Sequence, residues 1–311
     1  VLVIAFKSLT MERVWGGRSL ETFYGRSLPA ESTPIGEAWE LVDRKQEQSV
    51  VCEGPYDGTT LHDLWINHRD EIFGTGLPDS ERFPLLVKIL DAREDLSIQV
   101  HPPTALAASL GGEPKTEIWY IADALPGARI FAGLRKEADR ATFEKAIAEG
   151  TVAEQVHEIT VKTGDSIFIP SGRLHAIGAG LLIFEIQQNS DTTYRVFDWN
   201  RVGLDGQPRE LHVKESLASI DFTDIEPVID VVEGNLVASC QYFVVERFQL
   251  AMHAKIGNAM TDRFSILNII EGELTDEEGR LWKKGDTLLL SRGGGHLTAN
   301  AGCVVLRTHI P

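Results

Sequence analysis

Thiols are scarce in this 311-residue chain: Cys52, Cys240 and Cys303 are its only three cysteines, and they lie far apart. No pair has the close spacing of a metal knuckle, and an odd, scattered set builds no disulfide framework. A reducing compartment, the cytoplasm, is the expectation. Long apolar runs are also missing. The start, Val1-Leu2-Val3-Ile4-Ala5-Phe6, is too short for a signal core, and Lys7 follows at once. Nothing approaches the roughly 20 apolar residues that a membrane-spanning helix needs. Positive charge is in deficit, with 30 Lys and Arg against 46 Asp and Glu, a net −16. Without a basic run, such a chain is not expected to bind nucleic acid or an anionic membrane. A small phosphorylated ligand stays compatible, provided that a few cations gather in its pocket.

What is present is ordinary globular material, 43% hydrophobic and 24% charged, enough for a large core. Glycine and proline punctuate the chain rather than cluster in it. Helical periodicity appears over Thr60 to Phe73, with Thr59 or Thr60 as cap and Gly74 as stop. It appears again over Glu137 to Glu149, stopped by Gly150, and more briefly over Thr104 to Leu110. The remainder reads as short β-rich segments bounded by turns: Phe83 to Leu90, Leu96 to His101, Glu117 to Ala122, Ser166 to Pro170 and Leu181 to Gln188. Phe243 to Leu250, Phe264 to Ile270, Thr287 to Leu290 and Cys303 to Thr308 continue the series. So many short strands predict an antiparallel sandwich or barrel.

An internal repeat organises them. Lys162-Thr-Gly-Asp-Ser-Ile-Phe-Ile-Pro-Ser-Gly-Arg-Leu-His175 aligns without gaps with Lys283-Lys-Gly-Asp-Thr-Leu-Leu-Leu-Ser-Arg-Gly-Gly-Gly-His296. Each copy gives a Gly-Asp turn, a buried strand, a glycine turn, then a histidine, which favours duplication. The order is similar to the second half of a cupin barrel motif. The expected fold is therefore mainly β, a tandem cupin of two β-barrel or jelly-roll domains with a few peripheral helices. Residues 1–220 form the first domain and 221–311 a second, degenerate one, joined near Asp221 to Asp230.

Residues two apart on a strand face the same side. Gln99 and His101 can thus both point inward while Val100 packs outside, and Lys115 and Glu117 share a face in the same way. His175 arrives just past the Pro170-Ser-Gly172 turn. One amide, two imidazoles and a carboxylate form a mixed N/O set that suits a divalent first-row ion such as Zn²⁺. The bland alternative is four unrelated residues, since a lone buried histidine is more often hydrogen-bonded than metal-bound. A barrel weighs against it by bringing sequence-distant positions to one interior point. In the second copy His296 matches His175, but Ser265 falls where Glu117 would be, and that copy is expected to hold no metal.

Several segments resemble the type I (cupin) mannose-6-phosphate isomerases in their short bacterial form. They are Leu96-Ser-Ile-Gln-Val-His-Pro102, Pro114-Lys-Thr-Glu-Ile-Trp119, Pro170-Ser-Gly-Arg-Leu-His-Ala176 and Glu185-Ile-Gln-Gln-Asn-Ser-Asp-Thr-Thr-Tyr-Arg-Val-Phe-Asp-Trp199. Arg13-Val-Trp-Gly-Gly17, Gly36-Glu-Ala-Trp-Glu40 and Phe83-Pro-Leu-Leu-Val-Lys-Ile-Leu-Asp91 fit as well. The resemblance is dense from Phe6 to Trp199 and loose beyond. It implies interconversion of mannose 6-phosphate and fructose 6-phosphate through an enediol. It also implies one Zn²⁺, or another divalent first-row metal, held by Gln99, His101, Glu117 and His175. Catalytic roles would fall to Arg195, Lys115, Asp191 and Glu185, with Lys88 and Ser97 near the substrate phosphate. The general base stays open among Lys115, Asp191, Glu185 and His101. Two other readings remain: a metal cupin of another kind, such as an oxygenase, and a non-catalytic sugar-phosphate binder. Trp15, Trp39 and Trp119 are candidates for pocket walls or core, and His62, His68, His157, His212 and His309 for surface or packing.

Overall fold

The chain is described by a computed structural model over residues 2–30, 32–293 and 295–311. Val1 of the apolar start and Gly294 of the second repeat copy lie outside the described residues, as does Glu31. Contacts gather the chain into two compact units. One comprises Thr10–Ala38 and Val87–Asp230, and the other the N-terminal segment through Leu9 with Trp39–Leu86 and Val231–Pro311.

The first unit is built on two antiparallel sheets. One orders the strands Leu9–Gly17, Ile35–Leu41, Leu85–Ala92, Leu181–Gln188, Glu117–Ala124 and Ser166–Ile169. The other orders Tyr194–Phe197, Ile98–Val100, His175–Ile177, Arg129–Leu134 and Val156–Thr160. Alternation decides what each face buries. Trp119, Ile121 and Ile183 from the first sheet share a core with Ile130, Ala132 and Ile177 from the second. On the opposite face of the second sheet, Ile98, Val100, Phe131, Ala176 and Val196 are covered by Phe143 and Ile147 of the helix Arg140–Glu149. Leu217 of the helix Val213–Ser219 packs there too.

The mainly β character with few helices is as expected, but the barrels are not closed. Both sheets end in open edge strands. The chain changes sheet at tight turns such as Pro170–Gly172, where Gly172 takes φ +94° and its N–H donates to His101 O. The two layers are therefore joined by side-chain packing, and among the described residues no continuous ladder runs between them.

The second unit holds a six-stranded and a four-stranded sheet. Their shared core includes Leu267, Leu274, Trp282, Leu288 and Leu297. Helix Leu61–Asn67 starts where Thr60 accepts the Asp63 N–H, then widens into a π-type turn, Arg69–Phe73, before Gly74 at φ +96°. Ile72 and Phe73 are buried there. Phe73 meets the rings of Trp65, Phe83 and Phe264 at centroid separations of 4.9, 5.6 and 5.3 Å.

The sequence repeat is a structural repeat. In one copy Asp165 accepts the Lys162 N–H at 2.9 Å, and in the other Asp286 accepts the Lys283 N–H at 2.8 Å. Gly164 and Gly285 both sit in the left-handed half of backbone space, at φ +92° and +91°. His175 and His296 each open the next strand. Strand register carries the match further, pairing Glu117 with Ile169 and Ser265 with the equivalent Leu290.

Helix Arg140–Glu149 begins later than the Glu137 start expected from periodicity. Asp139 accepts the Thr142 N–H while Thr142 Oγ1 accepts the Asp139 N–H, so the reciprocal cap fixes the start. Gly164 has open space where a Cβ would go, which makes Gly164→Ala a pure test of backbone conformation. It should lower the free energy of unfolding by about 1–2 kcal/mol, read from urea midpoints, because a side chain is strained at that φ.

Candidate active site

Three side chains converge because three strands run in register. Gln99 stands opposite His175 on one side and Arg195 on the other. His101 follows two residues beyond Gln99, while Ile98 and Val100 turn to the helix-covered face. Glu117 opens its own strand, between Ile169 and Gln187 on the neighbouring strands.

His101, Glu117 and His175 are buried together, with one ligand atom from each lying within 4.8 Å of the others. His101 Nδ1 donates to Thr192 O and His175 Nδ1 to Arg173 O, both at 2.8 Å. These bonds put the ring protons on Nδ1 and leave both Nε2 lone pairs facing Glu117. His101 Nε2 lies 3.6 Å from Glu117 Oε2, and His175 Nε2 3.7 Å from Glu117 Oε1. Among the described residues His101 Nε2 and Glu117 Oε1 are buried without a hydrogen-bond partner. Two imidazole lone pairs and a carboxylate are thus aimed at one another with no donor between them, and a divalent cation satisfies that arrangement. The Gln99 amide adjoins them: its Nε2 lies 3.4 Å from His175 Nε2 and its Oε1 accepts Ser97 Oγ–H at 3.1 Å. Rotating the amide by half a turn about its last bond presents its oxygen to the cluster.

The charges around the cluster are interlocked. Lys115 Nζ is 3.1 Å from Glu117 Oε2 and 3.9 Å from Glu185 Oε2. Lys88 Nζ is 3.5 Å from Glu185 Oε2 and 3.9 Å from Glu37 Oε2. Trp119 Nε1–H donates to Glu185 Oε1 at 3.1 Å, and Arg13 grips both oxygens of Glu37 at 3.0 and 3.2 Å. Burial disfavours a charged Lys115, but Glu117 and Glu185 outweigh it and hold the ammonium above the usual lysine value. Burial likewise opposes ionisation of Glu117, yet Lys115 and His175 pull its carboxyl below the usual range. Glu185 goes the other way, raised by burial and by the Glu117 charge. His101 is held well below the ordinary histidine value by burial, then by Lys115 and His175. Burial lowers His175 too, with Glu117 partly offsetting it. Both imidazoles are therefore neutral, as metal ligands must be.

A cavity of about 410 Å³ opens beside this cluster. Its walls include Gln99, Lys115, His175, Glu185, Asp191, Arg195, Lys88 and Ser97, so these expected site residues share one space with His101 and Glu117 behind it. Five lysines and arginines line it (Arg13, Lys88, Lys115, Arg195, Arg209) against three carboxylates, Glu37, Glu185 and Asp191. An acidic protein thus presents a locally cationic pocket. Arg195 donates to Ser97 Oγ at 3.3 Å and Glu210 O at 2.9 Å, uncharged acceptors that leave its charge in place. Asp191 is exposed at the mouth.

Trp15 and Trp119 line the cavity, whereas Trp39 is buried elsewhere in the core. Arg209 and His212 were missed. His212, assigned to surface or packing from sequence, lines the cavity, because the loop after Phe197 folds back along the edge strand. Nothing in its local sequence signals that return.

Comparison with known proteins gives the following. The family model described as phosphomannose isomerase type I, catalytic domain, matches residues 3–128. A mannose-6-phosphate isomerase of Bacillus subtilis is 39% identical over 315 residues, covering 96% of this chain and 97% of its own. One of Streptococcus mutans is 36% identical over 289 residues, 90% of this chain and 89% of its own. The crystal structure of the mannose 6-phosphate isomerase from Bacillus subtilis aligns with a TM-score of 0.87 at 34% identity, over 99% of each chain.

Replacing Glu117 by Gln removes the only anion of the ligand cluster while keeping its shape. Titration with Zn²⁺ against a chromophoric chelator should show affinity falling by more than the about 100-fold that changes to outer-shell partners cost.

Proposed function

The chain belongs to the type I phosphomannose isomerases, and from that premise we propose that its cavity interconverts mannose 6-phosphate and fructose 6-phosphate using one Zn²⁺, or another divalent first-row ion, per chain. The carrying observation is the cluster of His101, Glu117 and His175, three acceptors facing one another beside a cationic cavity. These residues would hold the ion together with Gln99 through its amide oxygen. When bound, the ion supplies a Lewis acid for negative charge developing on the substrate oxygens.

The chain's own groups divide the remaining work. Isomerisation moves a proton between C1 and C2 and builds an oxyanion on the way. Arg195, which donates to the uncharged acceptors Ser97 Oγ and Glu210 O, stabilises that oxyanion. Glu185 carries the proton: it borders the cavity, and burial beside the Glu117 charge raises its carboxyl, which makes it a stronger base than an ordinary glutamate. Lys115 is kept protonated by Glu117 and Glu185, so it serves as a proton donor to the sugar ring oxygen during ring opening. Asp191 at the mouth orients sugar hydroxyls. Lys88 and Ser97 bind substrate on the cavity wall, and the cationic excess favours a phosphate dianion.

The repeated Gly-Asp turn, strand and histidine support a tandem cupin ancestry in which one copy kept the ligands. The free cysteines suit a reducing cytoplasm.

A coupled assay should show mannose 6-phosphate turnover that a chelator abolishes and Zn²⁺ restores. Inactivity of the fully metallated protein would sink the proposal. Arg195→Ala should lower kcat by about 10²–10³-fold, the cost of an oxyanion donor, with metal content unchanged. Near-normal turnover in that variant would remove Arg195 from the reaction.

A further inference from the structure

Arg195 lies on the edge strand of its sheet, opposite Gln99, and the register breaks between Arg195 and Phe197. A residue at such an edge has a backbone N–H and C=O without a strand partner, and unpaired groups there are costly once water is excluded. In this chain a single residue answers both. His212 N–H donates to Arg195 O at 2.7 Å, and Arg195 N–H donates to His212 Nδ1 at 3.3 Å. The ring nitrogen stands where an adjacent strand would offer a carbonyl. Two residues earlier, Glu210 O accepts from the Arg195 guanidinium at 2.9 Å.

The loop that brings His212 back is itself braced. It reverses through Trp199 and Asn200, both in left-handed backbone conformation at φ +55° and +56°, which persists only where surroundings enforce it. Asp198 receives Arg201 at 3.0 Å and Arg209 at 2.7 Å, joining the two ends of the loop. Trp199 Nε1–H donates to Leu96 O at 2.7 Å. At the far end His212 O accepts the Ser216 N–H and starts the helix Val213–Ser219. The imidazole is thus anchored from its own backbone.

We propose that His212 is a positioning residue for Arg195, its ring nitrogen replacing the missing strand partner and fixing the backbone from which the guanidinium reaches the cavity. The inference rests on the reading of Arg195 as the oxyanion-stabilising group. Because His212 acts through geometry at the reacting centre, its loss should fall on kcat rather than on substrate binding.

The test uses full-length, metal-loaded enzyme. His212→Phe keeps a ring of similar size and removes the acceptor, whereas His212→Asn places an amide oxygen at the same distance along the side chain as Nδ1. His212→Phe should lower kcat about tenfold, with KM within about threefold of wild type, and His212→Asn should recover most of the loss. In an Arg195→Ala background His212→Phe should change kcat no further, since residues acting through one another are not additive. Metal content and melting temperature are followed throughout, and His212→Ala replaces the Phe variant if that one melts early. The inference is overturned if His212→Phe stays within about twofold of wild type, if Asn and Phe behave alike, or if the loss persists without Arg195. Arg195→Ala measured alone reports separately on the oxyanion reading.

Discussion

A carboxylate without solvent exposure governs this site. Glu117 lies at the start of an interior strand, where burial alone would push it toward neutrality. It stays ionised because the Lys115 ammonium is 3.1 Å away. Lys115 would in turn be costly in that interior without Glu117 and Glu185. Each charge is thus tolerable only in the presence of the others, and the group stands or falls as a unit. The carbonyl oxygens of Thr192 and Arg173 complete it by fixing which imidazole nitrogen faces inward.

Holding such a group requires a scaffold that does not yield, and antiparallel register supplies it. Arg195, Gln99 and His175 are consecutive across three strands. A slip of one residue would turn all three toward the helix-covered face and expose the apolar set in their place. Burial of Ile98, Val100, Ala176 and Val196 on that face therefore also defends the site. The edge strand is the weak place in this arrangement, and the loop ending at His212 covers it.

The duplicated segment separates scaffold from chemistry. The Gly-Asp turn recurs in both copies with the same glycine φ and the same aspartate hydrogen bond, and a strand follows in each. Register puts Ser265 at the place of Glu117, so the second copy lacks the carboxylate around which the first is organised. His296 there lies 3.1 Å from Glu277 instead. A shared fold thus carries ionic chemistry only where the anchoring anion is present.

Alternation by itself placed Gln99 with His101 and Lys115 with Glu117, because strand geometry is local and its period is fixed. The Gly-Asp turns and the stop at Gly150 were equally legible, since each depends on a few adjacent residues. Of the expected β-barrel or jelly-roll form the mainly β character holds, but the sheets do not close into barrels, because closure depends on whether distant edges find each other, and no local pattern encodes that. Arg209 and His212 were invisible for the same reason: a loop brings them back to the cavity, and its path is set by Asp198, Arg201 and Leu96 O. Sequence determined which residues carry charge, lone pairs and apolar surface, and in what alternation. Only the tertiary structure decided which became neighbours, because burial and electrostatic energy depend on distances through space that chain order leaves free.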